Sequence, residues 1–137
     1  MADQITKALV VMNLAPGESR PLFPPIVSLT HVQNTGAAFG LFKGQQVLFI
    51  VLSLIVIGWL VRELRAHQTL APAVRWGSAL ILGGAAGNVI DRLRLGYVID
   101  FIDLHVWPVF NVGDSAITIG VALLVFQSFR RTRPRQC

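Results

Sequence analysis

Three long runs of apolar residues dominate the pattern of the chain. The first, Gly44 to Val61, holds no charged residue over eighteen positions, and the others are Trp76 to Ile90 and Ser115 to Phe129. Eighteen helical residues extend about 27 Å, close to the roughly 30 Å hydrocarbon core of a bilayer. The two shorter runs reach across if neighbouring residues join them. We therefore predict membrane-spanning helices over residues 44–61, 73–91 and 110–129.

The first fourteen residues have a helical pattern that is too short to cross a bilayer. Asp3 and Lys7 stand four positions apart, so they share one face of that helix. The segment has neither the basic start nor the cleavage site of a secretory signal. We expect residues 1–14 to be the remnant of a further span that begins outside this sequence.

The connecting segments complete the predicted architecture. The Pro- and Gly-rich segment from Ala15 to Pro25 predicts a loop, and the β-branched segment from Ile26 to Gln33 predicts a strand on the membrane surface. The basic segment from Val61 to Pro72 predicts a cytoplasmic loop, which leaves Asn13 to Lys43 and Arg92 to Val109 outside. The fold class expected is an all-α integral membrane bundle with a small external β-rich cradle, forming one domain over 1–137.

A pair of glycines suggests how the helices pack. Gly83 and Gly87 are four positions apart among other small residues, a spacing that allows helices to approach closely in a membrane.

Composition agrees with a membrane protein. Hydrophobic residues make up 53% of the 137 residues and charged residues only 14%, about half the usual share of a soluble domain. The net charge of +5 does not indicate a nucleic-acid partner, because seven of the twelve Lys and Arg residues flank apolar runs. Such placement orients a protein with its basic ends in the cytoplasm, including here the C-terminus. These seven are Arg62, Arg65, Arg75, Arg130, Arg131, Arg133 and Arg135.

The candidate chemistry lies near the outer ends of the last two runs. Four of the seven acidic residues, Asp91, Asp100, Asp103 and Asp114, fall within 24 positions there. Carboxylates at membrane depth are costly and are functional candidates by default. Structural interpretations remain open for three of them. Asp91 can pair with its neighbour Arg92, Asp114 can act as the N-cap of the last helix, and Asp103 can be solvated.

Asp100 and Asp114 flank an external segment that can bring their carboxyl groups together. Two carboxyls in a poorly hydrated pocket cannot both ionise cheaply, so one pKa rises and the pair shares a proton. Such a pair can activate water against a carbonyl group, one member acting as base and the other as acid. Two alternatives stay open: an ion relay through the membrane, and a metal site that includes His105, although no H-E-x-x-H motif occurs.

Five segments resemble, in order, the motifs of the lipoprotein signal peptidase family, also called signal peptidase II. They cover nearly the whole chain. They are Asp3–Lys7 (DQITK), Asn34–Gly40 (NTGAAFG), Gly84–Arg92 (GAAGNVIDR), Gly96–Ile102 (GYVIDFI) and Phe110–Ser115 (FNVGDS).

The resemblance implies a four-span aspartic endopeptidase without metal or cofactor. Asp100 and Asp114 match the catalytic pair of the family. The residues expected to bind substrate or support the site are Asn34, Gly36, Asn88, Asp91, Arg92, Asn111, Asp3 and Lys7. Small residues from Gly36 to Ala38 would let the substrate backbone approach the cradle closely.

The resemblance also implies a substrate and a location. The substrate is a prolipoprotein, cleaved before a Cys that carries a diacylglyceryl group, and the surrounding lipid delivers it. The enzyme lies in the bacterial inner membrane with its site toward the outer face. Two departures from the family are a mostly absent first span and Gly113 where Ala is expected.

Overall fold

The computed structural model describes residues 1–36, 44–67 and 70–131, with only the backbone at residue 131. Within these ranges the chain forms helices and a small sheet. In chain order the elements are α1 (Ala2–Asn13), β1 (Ser19–Phe23), β2 (Val27–Asn34), α2 (Gln46–Ala66), α3 (Pro72–Leu95), β3 (Val98–Asp103) and α4 (Val112–Arg131).

Two of the helices in the described ranges, α2 and α4, are long and apolar enough to cross a membrane. Leu60 is the one buried residue of α2, while large apolar side chains such as Val47, Ile55 and Trp59 point outward. An apolar helix with an apolar outer surface is compatible with lipid and costly in water. Compared with the predicted spans, α2 starts two residues later and ends five later. α4 starts and ends two residues later.

The third helix, α3, is the interior helix of the bundle. It exceeds the predicted 73–91 by one residue at its start and four at its end. Its 24 residues extend about 36 Å, but it lacks the sustained apolar character of α2 and α4. Its buried face carries small and polar residues, including Ser78, Asn88 and Asp91, because it packs against protein and supplies the polar centre of the fold.

Glycines let α3 and α4 pack closely in an antiparallel arrangement. A Cβ added to Gly120 would lie 2.5 Å from the carbonyl oxygen of Gly77, and one added to Gly77 would lie 2.8 Å from that of Gly120. A Cβ on Gly84 would overlap the carbonyl oxygen of Gly113 in the same way. The two contacts are seven residues apart on each helix, so they repeat after two turns along one face.

The predicted packing role of Gly83 is wrong. A Cβ on Gly83 would have no atom within 4 Å, whereas one on Gly87 would overlap the Asp3 carboxylate. Of the two glycines, only Gly87 makes a close contact, because it makes room for the Asp3 side chain of α1.

The three-stranded sheet is antiparallel, with strand order β1-β2-β3. Its core contains Val10 and Leu14 from the first helix region and Ile99 and Phe101 from β3. The sheet therefore packs directly on the C-terminal end of α1. This arrangement confirms a small β-rich element beside the helices.

Four local expectations require correction or restriction. The segment 15–25 contains strand β1, with Pro21 at the sheet edge where its missing N–H costs little. The expected loop from 61 is still helix up to Ala66. Strand β2 begins and ends one residue later than expected. Residues 37–40 of the expected cradle lie outside the described residues.

Candidate active site

Asp100 and Asp114 line the same cleft, although they belong to different elements. Asp100 lies in β3 and is 2% exposed, while Asp114 lies in the first turn of α4 and is partly exposed. The cleft has a volume of about 300 Å³ and also includes Asn34, Asn88 and Arg92. The fold thus brings five of the sequence-predicted site residues to one cavity.

The Asp100 carboxylate accepts two hydrogen bonds from amide groups. Asn34 Nδ2 donates to Oδ2 at 2.8 Å, and Asn111 Nδ2 donates to Oδ1 at 2.7 Å. Burial raises the pKa of Asp100 to about 6, and the charge of Asp114 acts in the same direction. The two amide hydrogen bonds and the charge of Lys7 oppose this rise in pKa. Asp100 therefore keeps its proton at a higher pH than an exposed aspartate does.

Asn34 is itself oriented by Gly36. The backbone N–H of Gly36 donates to Asn34 Oδ1 at 2.9 Å, so the amide nitrogen of Asn34 faces Asp100. This contact is local, because the two residues are two positions apart. Gly36 supports the site through its backbone.

Asp114 and Asn111 form a reciprocal cap at the start of α4. Asn111 Oδ1 accepts the backbone N–H of Asp114 at 2.8 Å, and Asp114 Oδ2 accepts the backbone N–H of Asn111 at 3.2 Å. This is the arrangement of a capping box. The interpretation of Asp114 as the N-cap is therefore wrong. Asn111 is the N-cap residue, and Asp114 is the third residue of α4.

Asn88 connects the cleft to the interior. Its Nδ2 donates to Asp114 Oδ1 at 2.8 Å, and its Oδ1 accepts hydrogen bonds from Asn111 Nδ2 at 3.1 Å and Lys7 Nζ at 2.8 Å. Both the nitrogen and the oxygen of the Asn88 amide therefore have hydrogen-bond partners. The amide orientation is set by its neighbours, with Nδ2 turned to the Asp114 carboxylate.

Lys7 is the centre of a buried charge network. Its Nζ lies 2.9 Å from Asp3 Oδ2 and 2.8 Å from Asp91 Oδ2, and the residue is 1% exposed. With the bond to Asn88, all three N–H donors of the ammonium group are used. The predicted i, i+4 pairing of Asp3 and Lys7 is confirmed. It is one side of a larger network that includes Asp91.

The two carboxylates of this network also bind backbone N–H groups of the elements that carry Asp100 and Asp114. Asp3 Oδ1 accepts the backbone N–H of Gly113 at 2.8 Å, which attaches α1 to the first turn of α4. Asp91 Oδ2 accepts the backbone N–H of Ile99 at 3.2 Å, directly before Asp100 in β3. Asp3 and Asp91 therefore act on the positions of Asp114 and Asp100 from outside the cleft.

Gln4 was missed by the sequence analysis. Its Nε2 donates to Asp91 Oδ1 at 2.8 Å and to the carbonyl oxygen of Gly87 at 3.1 Å. Its position between Asp3 and Lys7 in the first motif was the available signal. An uncharged polar residue on a helix is common, so the sequence alone did not distinguish it.

The suggested ion pair between Asp91 and Arg92 is wrong. Asp91 pairs with Lys7, and the Arg92 guanidinium lies over the ring of Phe49, 5.1 Å from its centroid. Adjacent residues on a helix point about 100° apart, so one faces the interior and the other the cleft.

Asp103 and His105 lie outside this cleft. Asp103 accepts hydrogen bonds from the backbone N–H of His105 at 2.8 Å and from Thr30 Oγ1 at 2.9 Å. These hydrogen bonds hold the pKa of Asp103 below its usual range, and the bond from His105 has the larger effect. Among the described residues no group of three His, Cys, Asp or Glu side chains is arranged to hold a metal ion.

The apolar helices carry a dense polar network at one end, and this network borders a cleft with two carboxylates. Such an arrangement is typical of a membrane-embedded enzyme. A family model described as "Signal peptidase (SPase) II" matches residues 1–130. The chain belongs to the signal peptidase II family, which is a family of aspartic peptidases. The resemblance drawn from the five motifs is confirmed.

Curated relatives agree with this assignment. The lipoprotein signal peptidase of Halothermothrix orenii is 42% identical over 134 residues, which are 97% of this chain and 91% of the relative. The lipoprotein signal peptidase of Streptococcus pyogenes serotype M5 is 46% identical over 125 residues, 90% of this chain and 82% of the relative.

Solved structures share the fold. Two chains, each described as a bacterial membrane enzyme, match with TM-scores of 0.91 and 0.86. The first is 29% identical and the match covers 99% of this chain and 87% of the other. The second is 32% identical, with coverages of 96% and 87%.

Proposed function

We propose that Asp100 and Asp114 are the catalytic pair through which this chain acts as a peptidase. Membership of its family makes the chain an enzyme that removes signal peptides from prolipoproteins. The observation that carries the assignment of the pair is that both carboxylates line one cleft. Each is held by amide donors, and the pKa of Asp100 is raised to about 6.

The proposed chemistry uses one shared proton. The ionised carboxyl of the pair takes a proton from a water molecule, whose oxygen attacks the carbonyl carbon of the scissile peptide. The protonated partner donates its proton to the carbonyl oxygen, which gives a neutral tetrahedral diol. When the C–N bond breaks, the leaving nitrogen takes a proton from the protonated carboxyl, and a hydroxyl of the diol returns its proton to the ionised carboxyl. The products are an amine and a carboxylic acid, and the pair again holds one proton. The resting proton is assigned to the two carboxyls together.

Asn34, Asn88 and Asn111 hold the carboxylates in place for this chemistry. Their amide N–H groups occupy one lone pair on each of three carboxylate oxygens. Amide donors stabilise a negative charge without supplying a competing proton at neutral pH. They therefore orient the pair and leave its proton exchange to water and substrate.

The proposed substrate is a prolipoprotein with a diacylglyceryl group on the Cys after the cleavage site. A second cleft of about 420 Å³ adjoins the first, and Asp114 borders both. Its other walls are mainly apolar and include Leu104, Trp107, Phe110 and Ile119. An apolar space beside a catalytic carboxylate suits a substrate that arrives from lipid.

The proposed location is the bacterial inner membrane, with the cleft toward the outer face and the C-terminus in the cytoplasm. Arg62 and Arg65 end α2 and Arg75 begins α3, so these bases lie at the end of the bundle away from Asp100. Basic ends face the cytoplasm in most membrane proteins. We place α1 to α4 in the membrane as parts of four spans of a single domain, with lipid as the surrounding partner.

Three matched variants test the pair. Purified protein in lipid or detergent is incubated with a synthetic precursor peptide carrying diacylglyceryl-Cys, and cleavage is followed by mass. Asp100→Asn and Asp114→Asn are each expected to lose at least about a thousandfold in kcat, because an amide cannot exchange the proton. Asp103→Asn, outside the cleft, is expected to stay within about twofold.

The outcomes separate the alternatives. Wild-type turnover in either cleft variant would remove the pair, and equal losses in all three would mean that the acidic cluster acts collectively. Loss of wild-type activity with a chelator, restored by added metal, would favour metal-assisted hydrolysis over the pair.

A further inference from the structure

Helix α2 contributes one aromatic contact to the region of the cleft. Its first turn carries Phe49, which is half-buried, and the last turns of the neighbouring α3 carry Arg92. The two helices are antiparallel neighbours, so these turns lie at the same end of the bundle. The Arg92 guanidinium carbon lies 5.1 Å from the centroid of the Phe49 ring. This is within the range of a cation–π interaction.

The Arg92 head group lies close to the catalytic carboxylates without touching them. It lines the same cleft as Asp100 and Asp114. Its charge lies within electrostatic range of the Asp114, Asp100 and Asp91 carboxylates. These attractions draw the guanidinium toward the pair.

Among the described residues, no polar contact fixes that position. Within residues 1–36, 44–67 and 70–130, the Arg92 side chain has neither an ion pair nor a hydrogen bond, and its Nε is buried without a hydrogen-bond partner. A long Arg side chain without such a contact has several rotamers of similar energy. Within the part of the chain that the structure describes, the Phe49 ring is therefore the contact that restricts it.

We propose that Phe49 is a positioning residue that holds the Arg92 guanidinium at the wall of the cleft, facing the carboxylate pair. There the charge stabilises the pair and leaves guanidinium N–H donors for the carbonyl oxygen of a bound peptide. Without the ring, Arg92 would move toward Asp100 and Asp114 or toward solvent, and either movement disturbs the reaction. The inference rests on the proposed function of Asp100 and Asp114.

The first test compares three substitutions in the cleavage assay with the diacylglyceryl-Cys peptide. Phe49→Leu keeps an apolar side chain without a ring and is expected to lower kcat/KM about 5- to 30-fold. Phe49→Tyr keeps the ring and is expected to remain within about twofold. Phe126→Leu is the matched control, because Phe126 contacts Arg130 at 5.0 Å near the other end of α4. It is expected to leave activity unchanged.

The second test changes the electron density of the ring and keeps its size and shape nearly constant. Phenylalanine with one, two or three ring fluorines is placed at position 49, which weakens the negative face of the ring while keeping its shape. Log kcat/KM is expected to fall stepwise with the number of fluorines, and the same series at position 126 is expected to have no effect. Because the fluorinated side chains are nearly the same size, this test does not depend on how the Leu variant folds.

Each outcome is decisive. Wild-type activity in Phe49→Leu, equal losses in Phe49→Leu and Phe49→Tyr, or a fluorine series without slope would each overturn the positioning role. Asp100→Asn is measured in parallel. If it is inactive while the position 49 variants are normal, only this inference fails. If it keeps wild-type activity, the proposed catalytic pair fails.

Discussion

Replacing Lys7 with Met tests whether the buried charge network supports the fold. Lys7 Nζ contacts Asp3 and Asp91 at 2.9 and 2.8 Å and Asn88 Oδ1 at 2.8 Å. Met has a similar length without charge. The substitution leaves two carboxylates buried side by side, each having lost its cation, and it changes the net charge of the three groups from −1 to −2.

The expected loss of stability is large. Removing one partner of a buried ion pair costs about 3 to 5 kcal/mol, because the remaining charge stays out of water. A protein of ordinary stability has about 5 to 15 kcal/mol in total. The Lys7→Met variant should therefore lose about a fifth or more of its free energy of unfolding. The double variant Lys7→Met/Asp91→Asn restores the net charge to −1 and should recover part of the loss.

Arg20→Met is the matched control, because Arg20 pairs with Glu18 at the same 2.9 Å distance but is 62% exposed. An exposed pair contributes at most about 1 kcal/mol. Unfolding of all variants in one detergent is followed by tryptophan fluorescence during heating and in denaturant. The reasoning is refuted if Lys7→Met and Arg20→Met lose equal stability, or if the double variant is less stable than Lys7→Met.

Two further predictions follow from the geometry of α3 and the cleft. Gly87→Ala should destabilise the protein by about 1 to 3 kcal/mol, because its Cβ would overlap the Asp3 carboxylate. The control variant Gly83→Ala should be neutral or stabilising. Equal melting temperatures for the two variants would contradict this. The folded pKa of Asp100 is about 6 against an ordinary 3.8, so its contribution to stability is present below pH 3.8 and is lost as the pH rises through 6. Asn34→Leu removes a hydrogen bond that favours the charged form, so the corresponding limb of the kcat/KM profile should move to higher pH; a limb that stays or moves lower would contradict this.

The buried network explains why α1 matters for a site that it does not line. Asp3 binds the backbone of Gly113 at the start of α4, and Asp91 binds the backbone of Ile99 at the start of β3. Lys7 joins the two carboxylates. The relative positions of the two elements that carry the proposed catalytic pair therefore depend on one ammonium group from α1. This dependence predicts that variants of Lys7 lose activity together with stability.

Gly113 shows how tightly that junction is packed. A Cβ at this position would lie 3.0 Å from Asn111 Oδ1 and 3.1 Å from both Asp3 Oδ1 and the carbonyl oxygen of Gly84. The family resemblance suggested Ala here. With Ala, these oxygens would have to shift by a few tenths of an ångström, so Gly relieves a crowded contact between three elements.

The sequence by itself determined the apolar helices and the family. The run from Gly44 to Val61 is long and uncharged, and lipid exposure requires those properties wherever the helix packs. The ordered motifs placed Asp100 and Asp114 in the candidate site because the identity of those residues is a local property of the chain. Strand β3 was missed, since its hydrogen-bond partners lie in β2, some 70 residues earlier.

Only the tertiary structure decided which polar groups meet. Asp91 is adjacent to Arg92 in the sequence but pairs with Lys7, 84 positions earlier, because the helix turns neighbouring side chains to different faces. In the same way, Arg92 contacts Phe49 of α2, a residue that no motif singled out. Periodicity specifies the face on which a side chain lies, whereas its partner depends on how separate elements pack. The sequence therefore identifies the charged residues of the site, whereas the tertiary structure determines which of them pair.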